Sequence, residues 1–214
     1  MTATLIQTPP TGVLLKNISW QTYESLVNEL AQQPGIRLTY DRGNLEIMSP
    51  SAPHEGSKKI LGRFVESVTE ELNLEIRSLG SLTCRREDVA RGLEPDQCYY
   101  IQNENVVWDK EQIDLNEDPP PDLVVEIDIT SSSIDRLELY ASLGVPEVWR
   151  YDGNRLIIYQ LEAGEYAERD VSPTFPFLSQ VEMLRFLELR RSTKENALIR
   201  LFREWVRSQI QSQE

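Results

Sequence analysis

Cysteine and histidine are scarce in this sequence, and long apolar runs are missing. The two cysteines, Cys84 and Cys98, show no CxxC or histidine-linked spacing, and His54 is the single histidine. This scarcity speaks against a disulfide framework and a thiolate zinc site, and it makes the reducing cytoplasm the expected compartment. Because no apolar run approaches the ~20 residues that cross a bilayer, we expect no membrane span.

Basic residues are also few relative to acids. The chain has 22 Lys and Arg against 35 Asp and Glu, which gives a formal charge of −13 at pH 7. Non-specific nucleic-acid affinity comes from Lys and Arg that neutralise phosphates, so the net field of this chain repels nucleic acid. A nucleic-acid function therefore has to depend on a local site that overcomes this field.

Length and composition indicate one folding unit. With 214 residues, 40% of them hydrophobic and 27% charged, the chain is long enough for one sizeable core, and we predict a single domain over 1–214. Residues 1–15 contain Thr and Pro and lack a basic segment followed by an apolar one. We therefore expect a loose arm there and no secretory signal.

Apolar periodicity predicts an α/β (α+β) fold with a mixed central sheet flanked by helices. Ser19 is a typical N-cap for a first helix that Pro34 ends, and alternating apolar residues on both sides of 41–44 predict a β-hairpin. A second helix is expected just after His54, and a long terminal helix is expected within 193–214.

One predicted strand, 122–130, carries acids inside the most apolar run of the chain. Leu123, Val125 and Ile127 point to one face, and Glu126 and Asp128 point to the other. Burying a carboxylate costs roughly several kcal/mol unless a metal or a partner charge compensates it. This strand therefore needs such a partner.

The segment after this strand predicts a helix and a further strand. Ser132 and Asp135 resemble a capping box, so we expect a helix from about Ser133 to Leu143 that Gly144 ends. The succession over 122–151 has the size of a right-handed βαβ unit or of a helix that returns to an edge strand.

Three acids lie near predicted element boundaries: Glu55, Asp96 and Glu126. Mg²⁺ binds through one or two carboxylates and usually keeps waters, so acids on neighbouring strands and a nearby helix suit it. A metal held there would activate water and stabilise charge on a phosphodiester. Ordinary turn chemistry is the simpler explanation for Asp96 alone, whereas a mid-strand position favours a functional Glu126.

Three stretches of the chain resemble a known family: IMSPSAPHE, EPDQCYY and PDLVVEIDITSSSIDRLELYASLGVPEVWRYDG. From about Trp20 to the region of Val181 the chain is similar to the Uma-type bacterial family of restriction-endonuclease-like proteins, part of the PD-(D/E)XK nuclease superfamily. The residues from Pro121 to Gly153 are the specific part. The resemblance implies a restriction-endonuclease-like core that hydrolyses DNA with Mg²⁺, for which Mn²⁺ is a substitute.

Carried over by position, the resemblance assigns Glu55, Asp96 and Glu126 as metal ligands, with Asp96 and Glu126 also catalytic. Asp128 stands where the superfamily motif has lysine, and is a further site candidate. Many family members instead carry a lysine on the following helix, and the residue at that place is Arg136, the third catalytic candidate. Arginine stabilises developing phosphate charge, but it stays protonated and cannot act as a base.

The remaining charged groups have two interpretations each. His54 matches a histidine common in the family, and is either a residue at the edge of the site or a helix-terminal loop residue. Lys58, Lys59 and Arg63 line a phosphate-facing or, more commonly, a solvated side of a helix. The stretch 85–91 is expected to be a mixed-charge loop.

The leading hypothesis is a cytoplasmic Mg²⁺-dependent DNA endonuclease. We expect a homodimer, because superfamily members commonly dimerise to cut two strands and the terminal helix offers an apolar stripe that is core or dimer contact. One alternative is a catalytically weakened nuclease-like fold that serves as a binding or regulatory module. A nuclease for RNA or branched DNA is a weaker alternative.

Overall fold

The structure, a computed structural model, describes residues 12–31, 33, 35–49, 52–129 and 132–212. The helices are α1 (Trp20–Leu30), α2 (Ala52–Glu71), α3 (Glu104–Val107), α4 (Arg136–Leu143), α5 (Gln180–Leu189) and α6 (Glu195–Gln211). The strands are β1 (Gly12–Leu15), β2 (Arg37–Asp41), β3 (Asn44–Met48), β4 (Arg77–Ser78), β5 (Cys84–Arg86), β6 (Arg91–Leu93), β7 (Gln97–Tyr100), β8 (Leu123–Ile127), β9 (Glu147–Tyr151), β10 (Leu156–Glu162) and β11 (Glu165–Arg169). None of the described helices is long and apolar enough to cross a membrane.

The central sheet is mixed, as predicted. Its six strands follow the order β11-β10-β9-β8-β7-β4, and β8 and β9 pair in parallel while their neighbours run antiparallel. Helix α4 connects the parallel pair, so 122–151 forms the expected βαβ unit. Strands β9, β10 and β11 form a meander joined by short turns.

Strand β8 is buried along its whole length, as its apolar sequence predicts. Leu123, Val125 and Ile127 pack in the core cluster that contains residues of α2, α5 and α6. On the opposite face, Val124 packs with Leu139 of α4 and its neighbours. The alternation of β8 therefore separates two cores, and the acids share the α4 face.

The apolar stripe of α6 packs inside its own chain. Phe202 stacks on Phe64 of α2 with 4.2 Å between ring centroids. Phe186 of α5 meets the ring of Phe202 edge-on, with 5.0 Å between centroids. Glu71 of α2 also pairs with Arg203 and Arg207 of α6. The sequence left open whether this stripe is part of the core or a dimer contact, and the structure supports a place in the core.

A second, five-stranded sheet has the order β1-β3-β2-β6-β5. Its predicted hairpin, β2–β3, turns at Arg42 and Gly43, whose φ values of 46° and 91° fit a two-residue loop with left-handed backbone. Residues 12–15 were expected in the loose arm, but they form β1 and pair with β3. The rest of that arm, 1–11, lies outside the described residues.

The stretch 85–91, expected as a loop, is strand at both ends. Arg85 and Arg86 belong to β5, and Arg91 begins β6. Arg91 is 7% exposed and pairs with Asp41 and Glu138. The prediction failed because a charged residue reads as solvated in sequence, whereas this one is compensated by partners distant along the chain.

Helix α4 begins three residues later than predicted. Asp135 is its N-cap, with a carboxylate that accepts the backbone N–H groups of Leu137 and Glu138, so it is not the third residue of a capping box. Ser132 instead donates its hydroxyl to Glu46 of β3. The helix ends as expected at Gly144, which has a φ of 80°.

Candidate active site

Asp96 and Glu126 meet where β7 and β8 pair. Gln97 lies opposite Val125 in the antiparallel register, which places Asp96 beside the carboxyl end of β8. The backbone N–H of Ile127 donates to Asp96 Oδ2 at 2.8 Å. Asp96 is 4% exposed and Glu126 is 7% exposed, so two carboxylates distant in sequence are buried side by side.

Glu126 is held by α4. Its Oε1 accepts a hydrogen bond from Arg136 Nη2 at 2.6 Å and another from the Tyr140 hydroxyl. The guanidinium of Arg136 also donates to Thr39 Oγ1 at 2.7 Å and to the carbonyl oxygen of Glu94 at 2.8 Å. The partner charge that the acid in β8 required is therefore Arg136.

Burial and pairing act in opposite directions on this ion pair. Burial raises the pKa of Glu126 and the charge of Asp96 adds to this rise, whereas Arg136 lowers the pKa, and the net shift is upward. Burial lowers the pKa of Arg136, but the charge and hydrogen bond of Glu126, together with Tyr140 and Asp96, raise it above its ordinary value. The arginine therefore stays protonated and provides a fixed positive charge against the carboxylate.

His54 lies in the first turn of α2 and contacts Asp96. Its Nε2 is 3.0 Å from Asp96 Oδ2, while the buried Nδ1 has no hydrogen-bond partner among the residues that the structure describes and lies 3.6 Å from Glu55 Oε1. Burial lowers the pKa of His54, but the hydrogen bond and charge of Asp96, with Glu55 and Glu126, raise it above the ordinary value. The histidine is thus at the site and not in a loop.

Glu55 occupies the rim. Its side chain is 51% exposed and lies 3.6 Å from both His54 Nδ1 and Lys58 Nζ. It is not among the residues that line the cavity between Asp96 and Glu126. The helix acid therefore contacts His54 and faces solvent, outside the cavity that Asp96 and Glu126 line.

Two cavities open beside Glu126. The smaller, about 40 Å³, is lined by Arg37, Met48, His54, Glu94, Asp96, Glu126, Ile127, Asp128, Ser132 and Arg136. The larger, about 320 Å³, shares Glu126, Asp128, Ser132 and Arg136 and extends along α4 to Tyr140, Val148 and Arg150. The three site candidates predicted from sequence in this region, Glu126, Asp128 and Arg136, line both cavities.

Asp128 has a cationic partner on the next strand. Its Oδ2 accepts hydrogen bonds from Arg150 Nε at 3.0 Å and from Nη2. Arg150 lies opposite Glu126 in the parallel register of β8 and β9. A positive group from β9 therefore compensates the charge of Asp128.

Residues 20–193 match a protein-family model described as "Uma2: Putative restriction endonuclease". The chain belongs to the Uma2 family. The fold agrees with this, because a crystal structure of "a putative nuclease belonging to DUF820" from Anabaena variabilis ATCC 29413 is similar to it with a TM-score of 0.54 and 17% identity. The likeness covers 78% of this chain and 98% of the other. A comparison with curated proteins gave no match.

The donor set of this Uma2 member fits a hard divalent cation. Within the described part of the chain, no group of three His, Cys, Asp or Glu side chains is close enough to hold a metal ion. The small cavity nevertheless presents the carboxylates of Asp96 and Glu126 together. Mg²⁺ is usually bound through one or two carboxylates and keeps several waters, and Asp96 and Glu126 are the residues that would hold it.

Sequence reasoning missed three residues of this site. Glu94 lines the small cavity, and burial raises its pKa; Tyr140 binds Glu126; and Arg150 binds Asp128. Tyr140 had a usable signal, because it lies four residues after Arg136 and therefore on the same face of α4. Glu94 and Arg150 carried none, since their contacts depend on strand pairing.

Proposed function

We propose that this protein is a Mg²⁺-dependent endonuclease that hydrolyses phosphodiester bonds of DNA, with Mn²⁺ as a substitute metal. Membership of the Uma2 family and the likeness to a protein described as a nuclease support nuclease chemistry. The observation that carries the proposal is the pair of buried carboxylates, Asp96 and Glu126, that line one cavity. Glu55, half-exposed beside His54, is proposed as a third ligand from the rim.

When bound, Mg²⁺ would neutralise charge on the phosphate and make water a better nucleophile. The chain's own residues hold the two carboxylates rigid. The N–H of Ile127 and the imidazole of His54 fix Asp96, while Arg136 and Tyr140 fix Glu126. Because Arg136 is hydrogen-bonded to four protein groups, we propose that it contributes to catalysis by orienting Glu126.

Plasmid cleavage with Mg²⁺ or Mn²⁺ tests this proposal. Wild type is expected to nick or linearise DNA, and Glu126→Ala is expected to lose this activity. Asp122→Asn is the matched control, because Asp122 is an equally buried carboxylate next to β8 that binds Ile101, Asn103 and no cavity group. Equal nicking by wild type and Glu126→Ala would show that the assigned mechanism is wrong.

A nuclease-like fold that binds but does not cut is the second candidate. It is favoured by the ion pairs of Glu126 with Arg136 and of Asp128 with Arg150, and by the acid at position 128 in place of the expected lysine. Calorimetry with Mn²⁺ separates the two. Micromolar binding that Asp96→Ala abolishes supports the enzyme, and lack of binding supports the module. Cleavage assays with RNA and branched DNA show whether either of these, and not duplex DNA, is the substrate.

A homodimer in the cytoplasm remains part of the proposal, since two strands have to be cut. The stripe of α6 no longer supports it, because Phe202 and its neighbours are buried against α2 and α5. Light scattering at working concentration decides this, and a monomeric mass would contradict it.

A further inference from the structure

Arg150 is the exposed arginine of the larger cavity. Its side chain is 41% exposed, whereas that of Arg136 is 18% exposed and hydrogen-bonded to four protein groups. Both line the 320 Å³ cavity together with Glu126. An anion that enters this cavity therefore meets Arg150 and cannot displace Arg136 without breaking its bonds.

The geometry of β8 and β9 fixes where Arg150 points. Paired residues of neighbouring strands project to the same face of a sheet, so Arg150 projects beside its partner Glu126. Asp128 follows Glu126 by two residues and shares this face, and it binds Arg150 through Nε and Nη2. Arg150 also has a side-chain hydrogen bond with Tyr159 of β10, and Nη1 takes no part in the two bonds to Asp128.

This arrangement suits a phosphate. A guanidinium has five N–H donors in a rigid fork, so one edge is able to bind a carboxylate while the other binds a phosphate oxygen. In a chain with a net charge of −13, such a contact is the local attraction that a nucleic-acid substrate needs. Asp128 restricts the rotamers of Arg150 and so reduces the entropy lost on binding.

We propose that Arg150 binds a phosphate of the substrate strand in the 320 Å³ cavity and that Asp128 is the residue that positions it. This inference rests on the proposed nuclease function. It gives Asp128 a role other than metal ligation, and it assigns different roles to Arg136 and Arg150. Arg136 orients the carboxylate of Glu126, and Arg150 contacts the polynucleotide.

The control is Arg169, which lies in the same sheet and has a similar setting. It pairs with Glu162 on the neighbouring strand, is 35% exposed, and does not line either cavity beside Glu126. Arg150→Gln and Arg169→Gln each remove one exposed, ion-paired charge from the same sheet. A difference between them therefore reports position and not net charge.

The experiment measures binding of a fluorescein-labelled DNA duplex by anisotropy in EDTA at several KCl concentrations, and then cleavage kinetics with Mg²⁺. Arg150→Gln is expected to weaken binding about tenfold and to reduce the slope of log Kd against log salt by about 0.9, the value for one phosphate contact. It should raise KM far more than it lowers kcat. Arg150→Lys should restore the slope, and Arg169→Gln should match wild type.

Asp128→Asn provides the test of positioning. It keeps Arg150, so the salt slope should stay at the wild-type value while the affinity falls severalfold. If wild type binds and cleaves DNA but Arg150→Gln behaves like Arg169→Gln, the inference is wrong and the proposed function stands. If wild type neither binds nor cleaves any polynucleotide, both are wrong. Circular dichroism confirms that each variant is folded, and Arg150→Met, which also removes the charge, replaces Arg150→Gln if the latter is not.

Discussion

The carboxylate of Asp96 accepts the backbone N–H of Ile127, the residue that directly follows Glu126. This hydrogen bond of 2.8 Å links Asp96 to the neighbour of Glu126, an acid 30 residues away in the sequence. It also fixes the side chain of Asp96 relative to the end of β8. The position of one proposed ligand is thus tied directly to the strand that carries the other.

Asp96→Asn should abolish metal binding without unfolding the protein. The amide oxygen is still able to accept the N–H of Ile127, but it lacks the charge that a divalent cation requires. We expect Mn²⁺ affinity and cleavage to fall on the order of 100-fold or more, with a melting temperature close to that of wild type. Calorimetry measures the Mn²⁺ affinity and plasmid nicking measures cleavage. A Mn²⁺ affinity equal to that of wild type would show that Asp96 is not a metal ligand.

Tyr140→Phe should reduce activity and stability together. The change removes one of the two hydrogen bonds accepted by Glu126 Oε1. We expect a loss of about 1–2 kcal/mol in the free energy of unfolding and a fall of about 10- to 100-fold in cleavage. Tyr166→Phe is the control, because that hydroxyl donates to the carbonyl of Val145, away from the acids. Unchanged cleavage by Tyr140→Phe would contradict the orienting role.

Arg136→Met should destabilise the fold strongly, because it leaves the buried carboxylate of Glu126 without its charge partner. The expected loss is about 3–5 kcal/mol in the free energy of unfolding, measured with urea. The double variant Glu126→Leu with Arg136→Met should recover most of this loss while remaining inactive. A double variant as unstable as the single one would show that the ion pair is not the cause.

The stability that the ion pairs between α2 and α6 contribute should depend on pH. Hydrogen bonds from Arg207 and Arg203 lower the pKa of Glu71 below its ordinary value, against the effect of burial. A carboxyl with a lowered pKa in the folded state stabilises the protein above its unfolded pKa, and it loses this contribution as the pH falls through the folded pKa. Glu71→Gln should therefore lower the urea midpoint at pH 7 and match wild type in acid. A difference that persists below the folded pKa would contradict this origin.

Much of the secondary structure follows from local patterns. The hairpin β2–β3, the helices α2 and α6 and the βαβ unit around α4 all have apolar spacing or caps within a few residues of each other. The family resemblance was also visible in contiguous stretches. The failures lie where the deciding contact is distant. Arg91 is buried because Asp41 and Glu138 meet it, and residues 12–15 are a strand because β3 offers them an edge.

The sequence by itself determined that Glu126 lies in a buried strand and needs a partner, because alternation and apolar composition are local properties. Only the tertiary structure decided which groups surround it. Strand register brings Asp96 and Arg150 to its sides, α4 supplies Arg136 and Tyr140, and Glu55 is left at the rim. Contacts between elements depend on pairing and packing over the whole chain, which no local spacing encodes.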